Sequence, residues 1–85
     1  MPTPEPSNNP LLEAVSQVDE IVMLMHDSYY STDPGPKVER LERIVRSVDL
    51  KIVQLRQAVE TGDEDQVCKL IHRVLKKVSR FYRVR

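Results

Sequence analysis

Apolar residues recur along three stretches of the chain, at alternating spacings of four and three residues. This spacing keeps every member of a series on one side of an α-helix, whereas a strand would scatter the members over both of its faces. We call each series a seam. The first seam consists of Leu11, Val15, Val18, Val22, Met25 and Tyr29. It predicts a helix over residues 10–30, which Asn9 caps and Pro10 begins.

The second and third stretches repeat the pattern. The second seam consists of Leu41, Val45, Val48, Ile52, Leu55 and Val59. The third consists of Val67, Leu70, Ile71, Val74, Val78 and Phe81. These seams predict helices over residues 36–61 and 64–83, and no stretch of the sequence shows the alternation typical of a strand. The fold class that follows is all-α.

Helix-breaking residues separate the three seams. The segment STDPGP holds two prolines and a glycine, which cannot continue a helix. Gly62 is expected to end the second helix and Asp63 to cap the third. Residues 1–8 are rich in Pro, Ser and Asn and lack periodicity, so they are predicted to be disordered. Residues 9–85 then form a single helical domain.

The length of the chain bears on how these helices assemble. A chain of 85 residues buries only a marginal fraction of its surface by itself. The sequence predicts a helical hairpin followed by a third, basic helix, and it leaves open whether that helix packs back on the hairpin. Because the long second seam needs more cover than the first helix gives, we expect an antiparallel or four-helix-type homodimer. The residues expected to form the core and the dimer contacts are Val18, Val22, Met25, Leu41, Val45, Val48, Ile52 and Leu55.

The net charge of zero hides a gradient along the chain. Residues 1–35 carry six acidic residues and no Lys or Arg, whereas residues 63–85 carry seven Lys or Arg against three acidic residues. Residues 36–62 lie between these extremes, with six basic and four acidic residues. The two ends of the chain are therefore suited to partners of opposite charge.

The third helix carries a basic stripe opposite its seam. Lys77 and His72 flank this stripe, which consists of Lys69, Arg73, Lys76, Arg80 and Arg83. A solvated helix face usually mixes both signs, yet no acidic residue follows Asp65. Like charge at these spacings destabilises a helix, so the stripe either complements the negative end of the helix or binds an anion. The second helix adds, on its outer side, Arg40, Arg43 and Lys51.

Three kinds of anionic partner suit a basic helix of this kind. Double-stranded RNA is favoured, because proteins recognise its A-form by shape, phosphate and 2′-hydroxyl contacts, and no helix-turn-helix or zinc-finger spacing is present for reading DNA bases. An acidic membrane surface is the second, with Phe81 and Tyr82 in the interface. An acidic protein is the third, including the first helix of another copy. The RNA-binding residues expected on the third helix are Lys69, Arg73, Lys76 and Arg80.

The joint between the first two helices resembles that of a known family. Residues 28–41 read SYYSTDPGPKVERL, and this Ser-Tyr pair and Pro, followed by a long second helix with basic positions, are similar to the small RNA-silencing suppressor of insect nodaviruses. The resemblance implies an all-helical homodimer that lies along double-stranded RNA without reading its sequence and hides it from the silencing machinery of the host. It places Ser28 and Tyr29 in the joint, and the residues that it turns toward the RNA are Arg40, Arg43, Lys51 and Arg56.

Catalysis and metal binding find little support in the sequence. His26 and His72 have no second ligand at a spacing that points the same way. Cys68, the only cysteine, lies at the edge of the third seam and is expected to be a small buried thiol. Both glycines lie in joints, so no glycine-rich phosphate loop is present. We therefore expect no enzyme activity, no cofactor and no metal.

The alternative function is a small helical adaptor or chaperone, such as a subunit of a secretion apparatus, whose seams are completed by a protein partner. Such a protein would depend on its apolar seams and tolerate changes in the basic stripe. The longest apolar run, Ile21 to Met25, is too short to cross a bilayer, and the N-terminal residues lack the pattern of an export signal. The expected location is the cytoplasm, which would be that of the host for a viral protein.

Overall fold

The computed structural model describes residues 10–85 and contains three helices, α1 (Pro10–Tyr30), α2 (Pro36–Thr61) and α3 (Glu64–Val84). Over these described residues there is no strand, which confirms the predicted all-α class. The first two helices have the bounds that the sequence pattern indicates, and α3 continues one residue further, to Val84. The predicted disordered segment and the predicted Asn9 cap lie outside the described residues.

The joint between α2 and α3 consists of only two residues, Gly62 and Asp63. Gly62 has a φ of 74°, a left-handed conformation that costs glycine little. Its N–H donates to the Val59 carbonyl at 3.1 Å, and the Asp63 N–H donates to the Ala58 carbonyl at 3.0 Å, which is the Schellman arrangement. The Asp63 carboxylate then accepts from the Gln66 N–H at 3.1 Å and caps α3, as predicted.

Side-chain contacts show the direction of each helix. His26 Nε2 of α1 lies 2.8 Å from Asp49 Oδ1 of α2, and Arg56 of α2 lies 3.7 Å from Asp19 of α1, so these two helices are antiparallel. Ser28 Oγ near the end of α1 lies 3.4 Å from Tyr82 Oη near the end of α3, so α1 and α3 are parallel. Each helix contacts both others. The third helix therefore packs back on the hairpin and forms a three-helix bundle.

The three seams meet in one apolar core. Its buried side chains are Val15, Val18, Val22, Met25, Leu41, Val45, Val48, Ile52, Leu55, Ala58, Val67, Leu70, Val74, Val78 and Phe81. All eight residues predicted for the core and the dimer are among them. Because one chain buries these side chains unaided, they give no reason for a second chain, and the homodimer stays a prediction that must rest on other surfaces.

Val59, the last member of the second seam, is half-buried and packs against the core, and Ala58 beside it is buried. One expectation about a single side chain is wrong. Cys68 is exposed and not a buried thiol, because it points away from the line on which Val67 and Leu70 contact the core. Successive side chains of a helix point about 100° apart, so Cys68 can face solvent although Val67 before it is buried.

Substitution of Phe81 tests whether α3 packs against the other two helices. Its ring is fully buried near the C-terminal end of α3, so truncating it to alanine leaves a large cavity. We expect Phe81→Ala to lower the free energy of unfolding by about 3–5 kcal/mol, measured by urea denaturation followed by circular dichroism. Tyr30→Ala is the matched control, because the Tyr30 side chain is 81% exposed, and its loss should have little effect. Equal effects of the two substitutions would contradict the packing of α3 described above.

Candidate nucleic-acid interface

The groove between α2 and α3 is lined by cations from both helices. Antiparallel packing sets Arg40 of α2 beside Val84 of α3, and Lys51 of α2 beside Arg73 of α3. The basic residues that line this groove are Arg40, Arg43, Lys51, Arg73, Lys76, Lys77, Arg80 and Arg83. We call this set the basic groove. Its remaining lining consists of Ser47 and the aliphatic side chains of Ile44 and Val84.

The seams explain why these cations meet. The buried positions of α2 and α3 face each other and the core, so the positions just outside the seams, on the sides where the two helices adjoin, form the walls of the groove. Lys77 lies deepest among the α3 cations and is half-buried beside Ile44 and Val84. Its aliphatic stem can cover these apolar side chains while its ammonium group stays in water. The core thus determines the position of the cations.

The basic groove has no acidic lining among the residues that the structure describes. The ion pairs found over residues 10–85, Arg46 with Glu42 and Arg56 with Asp19, lie elsewhere, and so does the hydrogen bond between His26 and Asp49. Arg43 also borders a second recess, on the outer side of α2, with Glu39, Glu42 and Arg46. The other cations of the groove border no acidic side chain of α1, since α1 packs on the opposite side of α2. Over residues 10–85, the cations of the groove therefore take part in no ion pair.

The dimensions of the groove follow from helix geometry. Arg40 and Lys51 are separated by about 16 Å along α2, and Arg73 and Arg83 by about 15 Å along α3, at roughly 1.5 Å per residue. The two axes of packed helices lie about 8–10 Å apart. The groove therefore offers two nearly straight rows of cations on a rigid support. Such rows match an extended anion with a regular charge spacing better than a compact one.

The structure brings most of the predicted site residues together and separates two of them. Six line the basic groove: Arg40, Arg43, Lys51, Arg73, Lys76 and Arg80. Lys69 is exposed and continues the stripe toward the start of α3, beyond the lining. Arg56 lies on the other side of α2, beside Asp19 of α1, and does not belong to the groove.

Lys77 lines the groove although the sequence analysis gave it only a flanking position. Its spacing contained the signal, because Lys77 lies four residues after Arg73 and three before Arg80 and therefore beside both on the helix. What the sequence could not show was that α2 would cover this side of α3.

The joint residues that the nodaviral resemblance singles out, Ser28 and Tyr29, do not line the basic groove. The Ser28 hydroxyl faces Tyr82 on the side where α1 and α3 adjoin. Tyr29 is half-buried against the core, and its ring contacts that of Tyr30 edge to face, with 5.4 Å between centroids. The contacts of both side chains are with α1 and α3 residues outside the groove lining or with the core.

Residues 10–85 contain no group of three or more His, Cys, Asp or Glu side chains placed to hold a metal ion. Among the same residues, no helix is both long and apolar enough to span a membrane. The basic groove is therefore the strongest candidate site in this part of the chain.

Comparison of the chain with protein-family models, with curated proteins and with solved structures gave no match. The nodaviral resemblance consequently rests on the joint and the basic positions of the second helix alone.

Substitution of Arg73 should show how much the repulsion between cations in the groove destabilises the protein. It has Lys69, Lys76 and Lys77 at helical neighbour positions, and it lies too far from the helix end to gain from the helix dipole. Since each like-charged neighbour costs roughly 0.2–0.5 kcal/mol, Arg73→Gln should raise the free energy of unfolding by about 0.5–1 kcal/mol. Thermal unfolding by circular dichroism at low salt measures this change.

The matched control for Arg73 is Arg46→Gln on α2. Arg46 forms an ion pair at 2.8 Å with Glu42, four residues earlier, so this substitution should lower the midpoint of thermal unfolding slightly. Both effects should shrink in high salt because exposed charges are screened. If both substitutions lowered the midpoint to the same degree, the groove would not carry uncompensated repulsion.

Proposed function

We propose that the chain binds double-stranded RNA along the basic groove, as a homodimer and without reading the base sequence. The observation that carries this proposal is the pair of cation rows on α2 and α3, which no acidic side chain interrupts among the described residues. Lys and Arg side chains on a rigid support neutralise phosphates and release the counterions condensed on a duplex. Flexible basic side chains contact phosphate oxygens without identifying bases.

The lining of the groove favours an RNA duplex over other nucleic acids. Single-stranded nucleic acid is usually held by stacking on aromatic rings, and the lining contains none. Reading DNA bases requires side chains that enter the major groove of the duplex, whereas here the cations lie between two helices of a bundle. An A-form duplex is recognised mainly by its shape, phosphates and 2′-hydroxyl groups, which two basic rows and Ser47 can contact.

The biological role that agrees with such binding is suppression of RNA silencing. A protein that covers duplexes regardless of sequence would withhold them from the silencing machinery, in the host cytoplasm if the protein is viral. The resemblance of the joint to nodaviral suppressors supports this role. Of the four second-helix residues that the resemblance implies, the proposal retains Arg40, Arg43 and Lys51 and leaves out Arg56, which faces α1.

A second candidate function rests on a different observation. Several large apolar side chains are exposed, among them Met23 at 66%, Leu24 at 61% and Leu50 at 60%. Exposed apolar side chains of this size on two helices are typical of a surface that a protein partner covers. A small helical adaptor therefore remains the alternative.

A titration against three nucleic acids tests RNA binding. The full chain is titrated with a fluorescent RNA duplex of about 25 base pairs, with the matching DNA duplex and with single-stranded RNA. We expect the RNA duplex to bind most tightly, and the logarithm of the association constant to fall with the logarithm of salt concentration with a slope of about −4 to −6, as for some five to seven phosphate contacts. Absence of binding at low salt would overturn the proposal and favour the adaptor.

Two double variants identify the surface that binds. Arg40→Gln/Arg80→Gln removes one cation from each wall of the groove and should weaken binding at least about tenfold and make the salt slope shallower by roughly two units. Arg46→Gln/Arg56→Gln removes two arginines of α2 outside the groove and should leave binding nearly unchanged. The reverse outcome would transfer the site to the opposite side of α2 and restore the role that the resemblance gives to Arg56.

A further inference from the structure

The face formed by α1 and α3 differs from the basic groove. Its exposed centre is uncharged and largely apolar, with Leu24 of α1 at 61% exposure and Leu75 and Tyr82 of α3 at 40% and 45%. Half-buried Ile21 and Ile71 lie beneath these side chains. We call this surface the α1–α3 face. Among residues 10–85, no side chain covers the exposed parts of Leu24, Leu75 and Tyr82.

Two charged rows border this face. The outermost line of α1 carries the acidic ridge, which consists of Glu13, Glu20 and Asp27. The outermost line of α3 carries the basic ridge, which consists of Lys69, Lys76 and Arg83. All six side chains are exposed, successive members of each ridge are seven residues apart, and no ion pair over residues 10–85 involves any of them. Each ridge is therefore a straight row of three like charges, about 21 Å long.

The residues of the two ridges also lie at nearly the same positions along the bundle axis. The contact between Ser28 and Tyr82 shows that residues 54 positions apart in α1 and α3 lie at the same level. Each member of the basic ridge follows its acidic counterpart by 56 positions, as Lys76 follows Glu20. The difference of two residues places each basic residue about 3 Å further along the bundle than its acidic counterpart. Because helical side chains lean toward the helix N-terminus, the longer basic side chains reach back to the level of the acidic ones.

We propose that two copies of the chain pair through their α1–α3 faces, about a twofold axis parallel to the helices, so that the acidic ridge of each copy contacts the basic ridge of its partner. This axis preserves height along the helices and places α1 of one copy against α3 of the other. Leu24, Leu75 and Tyr82 then become covered at the centre, and six ion pairs form at the edges. The arrangement is that of apolar seams bordered by charged positions in a coiled coil.

The alternative twofold arrangement places like charges together. An axis perpendicular to the helices would make the pairing antiparallel and set α1 against α1 and α3 against α3. Acidic ridge would then face acidic ridge, and basic ridge would face basic ridge. Charge complementarity therefore favours the parallel pairing over the antiparallel one.

This dimer specifies the homodimer of the proposed function, but its formation does not rest on RNA binding. The twofold axis turns the two basic grooves toward opposite sides of the dimer. Arg73, Lys77 and Arg80, which point toward α2, stay available to a ligand, while Lys76 and Arg83 lie at the border between groove and ridge. Each dimer would hold two duplexes, one in each groove.

Sedimentation equilibrium of the full chain, without RNA, tests the pairing. We expect a dimer of twice the monomer mass of 9.9 kDa. Glu20→Lys and Lys76→Glu should each weaken the dimer at least about tenfold, since each reversal places two like-charged contacts in the symmetric interface. The double variant Glu20→Lys/Lys76→Glu should recover dimerisation, because every reversed residue then faces a reversed partner. Circular dichroism establishes that each variant keeps the helical fold.

Matched controls separate this effect from a general effect of net charge. Glu60→Lys and Lys37→Glu change the net charge by the same amounts at exposed positions of α2, outside both ridges, and should leave the dimer unchanged. A wild-type chain that stays monomeric up to about 1 mM would overturn the proposal. A single ridge reversal that tightened the dimer would overturn the parallel arrangement. Dimerisation without RNA binding would refute the proposed function and leave this inference standing.

Discussion

Burial of the α3 seam against α2 determines where the charge of this protein lies. Val67, Val74 and Phe81 contact the core at helical spacing, and the remaining positions of α3 point outward or toward the walls of a groove. Because α2 carries its own cations on the side that adjoins α3, the packing of the two helices also brings their two rows of cations close together. The apolar contact holds together what electrostatic repulsion would separate.

The arrangement of charge has a thermodynamic meaning. The chain holds equal numbers of basic and acidic residues, yet no ion pair over residues 10–85 involves a cation of the groove. Pairing these cations with acidic side chains of the same chain would stabilise the fold and weaken its attraction for anions. The apolar core therefore has to offset the repulsion between the cations of the groove.

Much of this structure could be predicted from the sequence. Pro36 and Gly62 mark helix ends through their backbone properties, and each seam identifies the buried side of its own helix. The sequence could not show which neighbour covers the remaining sides, because periodicity fixes a residue's direction about its own axis and not the position of the other helices. For this reason the sequence predicts only a flanking position for Lys77. The separation of Arg56 from the groove, in contrast, can be predicted, because its position on the helix lies about 140° from that of Lys51.

The two-residue joint at Gly62 and Asp63 restricts how α3 can be placed relative to α2, and these two helices form the groove. One inserted residue would turn α3 by about 100° and move it about 1.5 Å along its axis if the seam did not adjust, which would bring the basic stripe out of line with Arg40 and Lys51. Restoring the seam would require a longer loop and a new register. An insertion at this joint is therefore expected to disturb the alignment of the two basic helices more than an insertion in the longer joint between α1 and α2.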